Sequence, residues 1–368
     1  MSGGELRYWR NAATLIIAGK VDSSSKDYKV LMLERSKGSK FFPGAYVFPG
    51  GEVSEADFSP EWSQIFTNVV SMTTDDVTKD LNVPGDRPPL MTTKNPLPSD
   101  VGQGRLDPCL AYRICAIRET FEESGLFLAT KQSGNRSHLS NSGSMFENNN
   151  KELNSWREKV NKEPWNFLAM CREMNVVPDV WALREWSNWL TPVMKQVKRP
   201  SPRPHRFDTF FYLCCLDHLP FATQDSLEIT STRWVVPHEL VGQTISGKFR
   251  GPQGYEMSRL ANFPLIQGLF SYICQREPLG IEQWLPVIVA CQDGVVSLMP
   301  GDGIYPQSPD RTGKDQVIVR TETVEELRKA TRHLHRNEQS PEGNFRFVCN
   351  INLKCGQIAP VHHQLSSY

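Results

Sequence analysis

The sequence lacks a long hydrophobic run. The longest apolar stretch near the N-terminus covers residues 12–19, which is far short of the roughly 20 residues that a membrane-spanning helix needs. No later run reaches that length, so we expect no membrane span. The mean hydropathy of -0.43 and the 22% of charged residues are typical of a globular domain rather than of a disordered chain.

The sequence also lacks net charge. It contains 41 Lys and Arg against 41 Asp and Glu, with a pI of about 7.1. A neutral chain has no global attraction for a polyanion or an anionic membrane, which argues against nucleic acid as a partner. A small molecule is therefore the expected partner, and any charges that bind it would be separated locally along the chain.

Paired cysteines are missing as well. The nine cysteines are an odd number at irregular spacings, without a Cys-x-x-Cys pair. This pattern excludes a recognisable disulfide framework or structural zinc site and favours a reducing compartment. We interpret the cysteines as small buried apolar residues.

At 368 residues the chain has room for one large or two ordinary domains. Short apolar runs bounded by turn residues predict strands at 13–18, 30–33, 209–216 and 233–236, and a hairpin at 284–298 that turns at Asp293-Gly294. Apolar spacings of three and four predict helices at 110–124, 179–190 and 256–270. We interpret 72–107 as an inserted loop near solvent and 131–155 as a flexible insertion.

The predicted helix 110–124 carries the most informative polar residues. Glu119, Glu122 and Glu123 lie at i, i+3 and i+4, so their carboxylates share one face of the helix and repel one another. Arg118 can pair with Glu122, but one guanidinium does not neutralise three acids. A divalent cation that prefers oxygen ligands, Mg²⁺ or Mn²⁺, would do so; the alternative is a solvated acidic face.

The segment 118–126, Arg-Glu-Thr-Phe-Glu-Glu-Ser-Gly-Leu, resembles the second half of the Nudix box, G-x5-E-x7-R-E-U-x-E-E-x-G-U, in which U is a bulky apolar residue. The first half begins with a glycine pair, which Phe48-Pro49-Gly50-Gly51 supplies. Asp57 stands where the family has Glu. Sixty residues, 58–117, then replace the usual seven, so the box is split by an insertion that we assign to 58–109.

A second motif overlaps the first. The run from Leu31 to Gly51 is similar to the motif of the coenzyme A diphosphatase branch of the Nudix hydrolases. The matching positions are Arg35, Ser36, Lys40, Gly44, Phe48, Pro49, Gly50 and Gly51. Lys40 replaces an Arg of that motif, which keeps the charge but loses the bidentate fork. Cations on a glycine-rich loop suit the phosphates of coenzyme A.

This resemblance implies an α/β fold, the Nudix fold, with a mixed β-sheet sandwiched between helices. It implies hydrolysis of the pyrophosphate of coenzyme A or acyl-coenzyme A to 3′,5′-ADP and 4′-phosphopantetheine or its acyl derivative. It also implies Mg²⁺ or Mn²⁺ held by Glu119, Glu122 and Glu123 with the Gly50 carbonyl. Either Glu119 or Glu228 would be the general base, and the basic run 195–206 is either a 3′-phosphate contact or a solvated loop.

Other functions stay open at this stage. One alternative is an NADH or nucleoside-diphosphate-sugar pyrophosphatase, and another is a catalytically impaired coenzyme A-binding protein. We expect a Nudix domain at 8–240, a C-terminal extension at 241–368 packed on it, and a monomer. The resemblance implies a peroxisome, with mitochondrion or cytosol as alternatives, because residues 365–368 depart from the Ser-Lys-Leu type of peroxisomal signal.

Overall fold

The computed structural model describes most of the chain, namely residues 9–21, 28–38, 43–92, 105–133, 145–146, 151–192, 206–224, 229–242, 249, 251–311, 317–342 and 344–361. The strands are β1 Arg10–Lys20, β2 Tyr28–Arg35, β3 Tyr46–Val47, β4 Gly50–Glu52, β5 Phe127–Thr130, β6 Met145–Phe146, β7 Val177–Pro178, β8 Arg184–Leu190, β9 Phe207–Leu216, β10 Ile229–Val235, β11 Gln283–Trp284, β12 Val287–Cys291, β13 Gly294–Leu298, β14 Ile318–Val319, β15 His335–Gln339 and β16 Phe345–Cys349. The α-helices are α1 Trp62–Val70, α2 Thr74–Leu81, α3 Pro89–Thr92, α4 Pro108–Ser124, α5 Lys151–Lys162, α6 Trp165–Glu173, α7 Pro237–Gly242, α8 Pro252–Leu260, α9 Ile266–Arg276 and α10 Val324–Ala330.

The main sheet is mixed, as expected. Its strand order is β10-β2-β1-β9-β8-β11, with β3 paired to β2 and β4 paired to β1. The β1 and β9 strands run parallel, whereas β1 with β2 and β8 with β9 are antiparallel. Both β1 and β9 are buried over most of their length, because helices cover the two faces. The four strands predicted at 13–18, 30–33, 209–216 and 233–236 are confirmed.

Helix α4 confirms the predicted helix 110–124 and lies against β1 and β4. Asp107 caps its N-terminus by accepting from the Cys109 N–H at 2.8 Å, and Gly125 ends it in the left-handed region at φ 71°. The helix is buried on nearly every side rather than on one stripe. Glu119 and Glu122 are its partly exposed residues, with side chains 16% and 14% exposed, so the helix opens toward solvent only at its acidic face.

The prediction of a loop at 72–107 was wrong for the residues that the structure describes there. This stretch contains α2, begun by a capping box of Thr73 and Asp76, and α3. Val77 and Leu81, four residues apart, are buried in the core that α4 also enters. The insertion therefore supplies core, because its few apolar residues have helical spacing that the surrounding Pro, Asp and Thr residues obscure.

The helix predicted at 179–190 was also wrong. Residues 180–182 form one 3₁₀ turn and 184–190 form β8, which lies between β9 and β11. The strand is buried on both faces, so it shows no alternation, and an irregular register between Glu185 and Ser187 brings Trp186 and Trp189 to the same side. That irregularity produced the spacing of three that imitates a helix.

Two further expectations need correction. Helix α5 begins inside the predicted flexible insertion 131–155, where Leu153 is buried, and β6 pairs with β5; residues 134–144 and 147–150 lie outside the described residues. The helix predicted at 256–270 is two helices, α8 and α9, because Pro264 lies between them and removes a backbone donor.

The residues after 250 form helices and a second sheet. This sheet has the strand order β14-β12-β13-β15-β16, and its β12–β13 hairpin confirms the one predicted to turn at Asp293-Gly294. The preceding strand β11 extends the main sheet by pairing with β8. One hydrophobic core joins residues of both sheets, including Phe211 and Phe347. In the described part of the chain, no helix is long and apolar enough to cross a membrane.

Candidate active site

The glycine pair and helix α4 meet at the edge of the main sheet. β4 begins at Gly50 and pairs with β1, and the Gly50 N–H donates to Glu123 Oε2 at 2.9 Å. A Cβ at Gly51 would collide with the Glu119 carboxylate. The sequence needs glycine here because the acidic side chains of α4 approach the backbone of β4 this closely.

A buried ion pair rejoins the two halves of the split box. Arg118 donates to both oxygens of Asp57, from Nε at 2.8 Å and from Nη2 at 3.0 Å, and both side chains are almost fully buried. Asp57 also accepts from the Ser54 N–H at 2.8 Å, which holds it in a single 3₁₀ turn. The insertion therefore begins after Asp57 and ends before Arg118 without separating the two residues in space.

Arg118 also holds the acidic face. Its Nη1 contacts Glu119 Oε1 at 2.8 Å and Glu122 Oε1 at 2.6 Å, which confirms the Arg118–Glu122 pairing, and its Nη2 donates to the Glu52 carbonyl at 3.2 Å. Burial, with the neighbouring Glu119 charge, raises the pKa of Glu122 to about 8. The carboxylates of Glu119 and Glu122 therefore share the Arg118 guanidinium.

These residues fit a hard divalent cation. Within the described ranges, no three acidic, histidine or cysteine side chains are grouped as metal ligands. Arg118 and the Gly50 N–H hold the carboxylates of α4. The donors at this face are nevertheless all oxygens, the chemistry that Mg²⁺ and Mn²⁺ prefer. A bound cation would favour the charged form of Glu122, which burial disfavours.

A cavity of about 840 Å³ opens over this face. Besides residues of both box halves it is lined by Arg35, Phe48 and Arg206 from the main sheet region and by residues after 250. Of the other motif positions, Ser36 is half-buried, Gly44 has φ 68° with open space around it, and Pro49 is buried under β1. The structure brings together Arg35, Phe48, Gly50, Gly51, Arg118, Glu119, Glu122 and Glu123.

Two of the predicted residues, Lys40 and Glu228, lie outside the described residues. So does most of the basic run 195–206, although its last member, Arg206, lines the cavity. The segment before Glu228 is attached to α4, because the Thr223 N–H donates to the Ser124 carbonyl at 2.9 Å.

Two features of the site were not expected from the sequence. Arg157 on α5 bridges the Glu122 carbonyl at 2.8 Å and the Thr223 carbonyl at 3.0 Å, and only the first residues of this helix fall in the predicted flexible insertion 131–155. The second feature is the cavity wall made by residues after 250, including Tyr255 and Asn337. The helical spacing of Leu153, Trp156 and Val160 could have indicated α5, whereas no local pattern marks the wall.

Comparison with known proteins agrees with this geometry. The model described as the NUDT19 Nudix domain matches residues 9–260, and the NUDT19 C-terminal domain matches 288–350. The protein named acyl-coenzyme A diphosphatase NUDT19 from Xenopus laevis is 38% identical over 97% of this chain and 96% of its own length. Its namesake in Homo sapiens is 32% identical over 89% and 88%, respectively.

The similarity to solved structures is lower. A Nudix hydrolase from Alicyclobacillus acidocaldarius superimposes with a TM-score of 0.46 and 22% identity, covering 72% of this chain and 96% of its own.

Proposed function

Because this chain belongs to the Nudix hydrolases, in the family defined by the NUDT19 Nudix domain, we propose that it hydrolyses the pyrophosphate of coenzyme A and acyl-coenzyme A in a divalent-metal-dependent reaction. The products are 3′,5′-ADP and 4′-phosphopantetheine or its acyl derivative. Relatives named acyl-coenzyme A diphosphatase are 32–38% identical to it over most of their length, which supports this substrate class.

One observation carries the proposal. A single cavity is lined by Arg35 and Phe48, from the motif similar to the coenzyme A diphosphatase branch, and by the three glutamates of the Nudix box. A pyrophosphate at the acidic face would therefore lie in the same cavity as a guanidinium that can bind phosphate oxygens. An NADH or nucleotide-sugar pyrophosphatase would need the box but not this motif.

We propose that Glu119, Glu122 and Glu123 hold Mg²⁺ or Mn²⁺ with the Gly50 carbonyl. A bound divalent ion of this kind neutralises pyrophosphate charge and lowers the pKa of water. The chain itself positions the ligands: Arg118 orients Glu119 and Glu122, and the Gly50 N–H orients Glu123. Two carboxylates are candidates to take the proton from the attacking water, Glu119 on α4 and Glu228 next to β10.

The direct test is product analysis. The purified chain is incubated with coenzyme A, acyl-coenzyme A, NADH, ADP-ribose or dATP in Mg²⁺, and the products are identified by mass. We expect the two coenzyme A substrates to be preferred, activity to disappear with EDTA, and excess Mg²⁺ or Mn²⁺ to restore it. Preference for a substrate without the pantetheine arm would overturn the proposal, as would full turnover in EDTA.

A further inference from the structure

We propose that the cavity wall contributed by residues after 250 binds the pantetheine arm of the substrate, and that Gln253 and Asn337 on this wall hydrogen-bond the amide groups of the arm. This inference rests on the proposed function, since it assigns one half of the substrate to one side of the same cavity. It names specificity-determining residues outside the Nudix box and outside the coenzyme A motif.

Charged side chains lie on one side of the cavity and are missing from the described lining of the other. Every charged side chain in its described lining comes from the chain before 207, including Arg35, Arg206 and the acids of α4. The described lining after 250 is uncharged, and its polar members are Gln253, Tyr255, Ser297 and Asn337. Coenzyme A has the same asymmetry, because its nucleotide half carries phosphates and its pantetheine arm is neutral.

The second sheet presents a row of residues to the cavity. Ser297 on β13 pairs with Asn337 on β15, and Asn337 pairs with Phe347 on β16, so these residues form one row across three strands. All three line the cavity. The neighbours Val296 and Leu298 instead pack in the separate small core of that sheet. One face of the sheet is therefore committed to its core and the other to the cavity.

Two side-chain oxygens at this wall lack a hydrogen-bond donor. Gln253 Oε1 and Asn337 Oδ1 are buried and have no hydrogen-bond partner in the described structure. A buried acceptor without a partner is costly, and a ligand N–H that reaches it recovers that energy. The terminal torsions of Asn and Gln are broad, so each carboxamide can turn its oxygen toward the cavity. The pantetheine arm presents two amide N–H donors.

Aromatic residues line the cavity from the box to the wall and belong to one hydrophobic core. Phe48, next to the glycine pair, packs edge-on to Phe211 with ring centroids 6.4 Å apart. Trp189 packs on Tyr255 at 5.3 Å, and Tyr255 on Phe347 at 5.4 Å. Apolar surface between convergent polar groups is typical of small-molecule sites, and it suits the methylene groups between the two amides of the arm and the two methyl groups on the phosphate side of them.

Two product fragments separate the halves of the substrate in an experiment. We would measure the Kd of 3′,5′-ADP and of 4′-phosphopantetheine by calorimetry in Mg²⁺, and kcat/KM for coenzyme A, in Gln253→Ala, Asn337→Ala and the double variant. We expect each single change to weaken 4′-phosphopantetheine binding and kcat/KM about 3- to 10-fold, the range that follows from the loss of one hydrogen bond. The Kd of 3′,5′-ADP should not change.

Matched controls are available on neighbouring elements of the chain. Gln267 on α9 and Asn344 beside β16 are exposed, so Gln267→Ala and Asn344→Ala should behave like wild type, and circular dichroism and Tm verify folding of every variant. Equal loss of affinity for both fragments, or unchanged kcat/KM in the double variant, would overturn the inference. Failure of the wild type to hydrolyse coenzyme A would instead overturn the proposed function.

Discussion

Arg118 is the residue that organises the acidic face. It is almost fully buried and contacts Asp57, Glu119 and Glu122, with distances of 2.6–2.8 Å for the closest contact to each. A buried guanidinium is tolerated only when it is paired, so the arginine requires acids around it. Arg118 therefore fixes the positions of Glu119 and Glu122, two of the residues that we propose as metal ligands.

Replacement of Glu123 by Gln tests the metal assignment. The Gln side chain still offers an oxygen to the Gly50 N–H, which Glu123 now binds at 2.9 Å, but it loses the charge that a divalent ion needs. We expect an unchanged Tm in the absence of metal and no detectable hydrolysis of coenzyme A with Mg²⁺. Glu325→Gln, at an exposed helix position, is the control. Wild-type turnover in Glu123→Gln would refute the assignment.

Replacement of Asp57 by Asn tests the ion pair that joins the split box. It leaves Arg118 buried with less compensating charge, and we expect unfolding by urea to show a loss of about 3 kcal/mol. Glu61→Gln removes an ion pair with Arg172 in which both side chains are about half exposed, and it should cost no more than about 0.5 kcal/mol. Equal effects of the two substitutions would contradict a structural role for the Asp57–Arg118 pair.

Among the secondary-structure elements, those with a regular local period were predictable. Helix α4 has apolar residues at spacings of three and four and a capping glycine, and the β12–β13 hairpin has an Asp-Gly turn. Strand β8 was not predictable, because it is buried on both faces and irregular at Glu185. Helix α5 was obscured by the Ser- and Asn-rich composition before it. The hydrophobic period of a segment indicates which of its faces is buried. Strand β8 lacks a clear period, and in helix α5 the composition of the preceding residues hides it.

Arg157 links three parts of the chain around the site. Its replacement tests whether these contacts position the acidic residues of α4 for hydrolysis. From α5 it donates to the Glu122 carbonyl of α4 and to Thr223 in the segment that leads to β10. We expect Arg157→Met to lower kcat about 10- to 100-fold, as is typical for residues that orient ligands, with little change in KM.

The control for that prediction is Arg172→Met on the adjacent helix α6, where the guanidinium is about half exposed. It should leave both kinetic constants unchanged. A rise in KM with unchanged kcat in Arg157→Met would show that the residue serves substrate binding rather than the position of α4 and Thr223.

Across the whole molecule, the cavity belongs to both halves of the chain. Tyr255, which lines it, is fixed by a 2.7 Å hydrogen bond to His335 Nε2, and His335 Nδ1 lies 2.7 Å from the Pro300 carbonyl. These contacts are those of a neutral histidine that donates to Pro300 and accepts from Tyr255. The second sheet therefore supplies both a wall of the cavity and the residue that holds Tyr255 in place.

His335 makes stability depend on pH. Burial lowers the pKa of His335 to about 4 in the folded chain. Below about pH 6.5 this histidine therefore takes up a proton in the unfolded chain, whereas in the folded chain it stays neutral down to about pH 4. Stability that is present above pH 6.5 is therefore lost as the pH falls toward 4, by up to about 3 kcal/mol. Urea unfolding of the wild type and of His335→Gln between pH 6.5 and pH 4 measures this loss. The difference in unfolding free energy between the two proteins should shrink by up to about 3 kcal/mol as the pH falls, and a constant difference would contradict the prediction.

The sequence by itself determined the acidic face of α4, the glycine pair and their resemblance to the Nudix box, because these depend on spacings within single turns and short motifs. Peroxisomal location stays a prediction from that resemblance, and the monomeric state stays an expectation. Only the tertiary structure decided that Asp57 meets Arg118 across sixty residues and that Asn337 faces the same cavity as Glu119. Such contacts depend on how distant strands pair and pack, and no pattern within a short segment of the sequence indicates them.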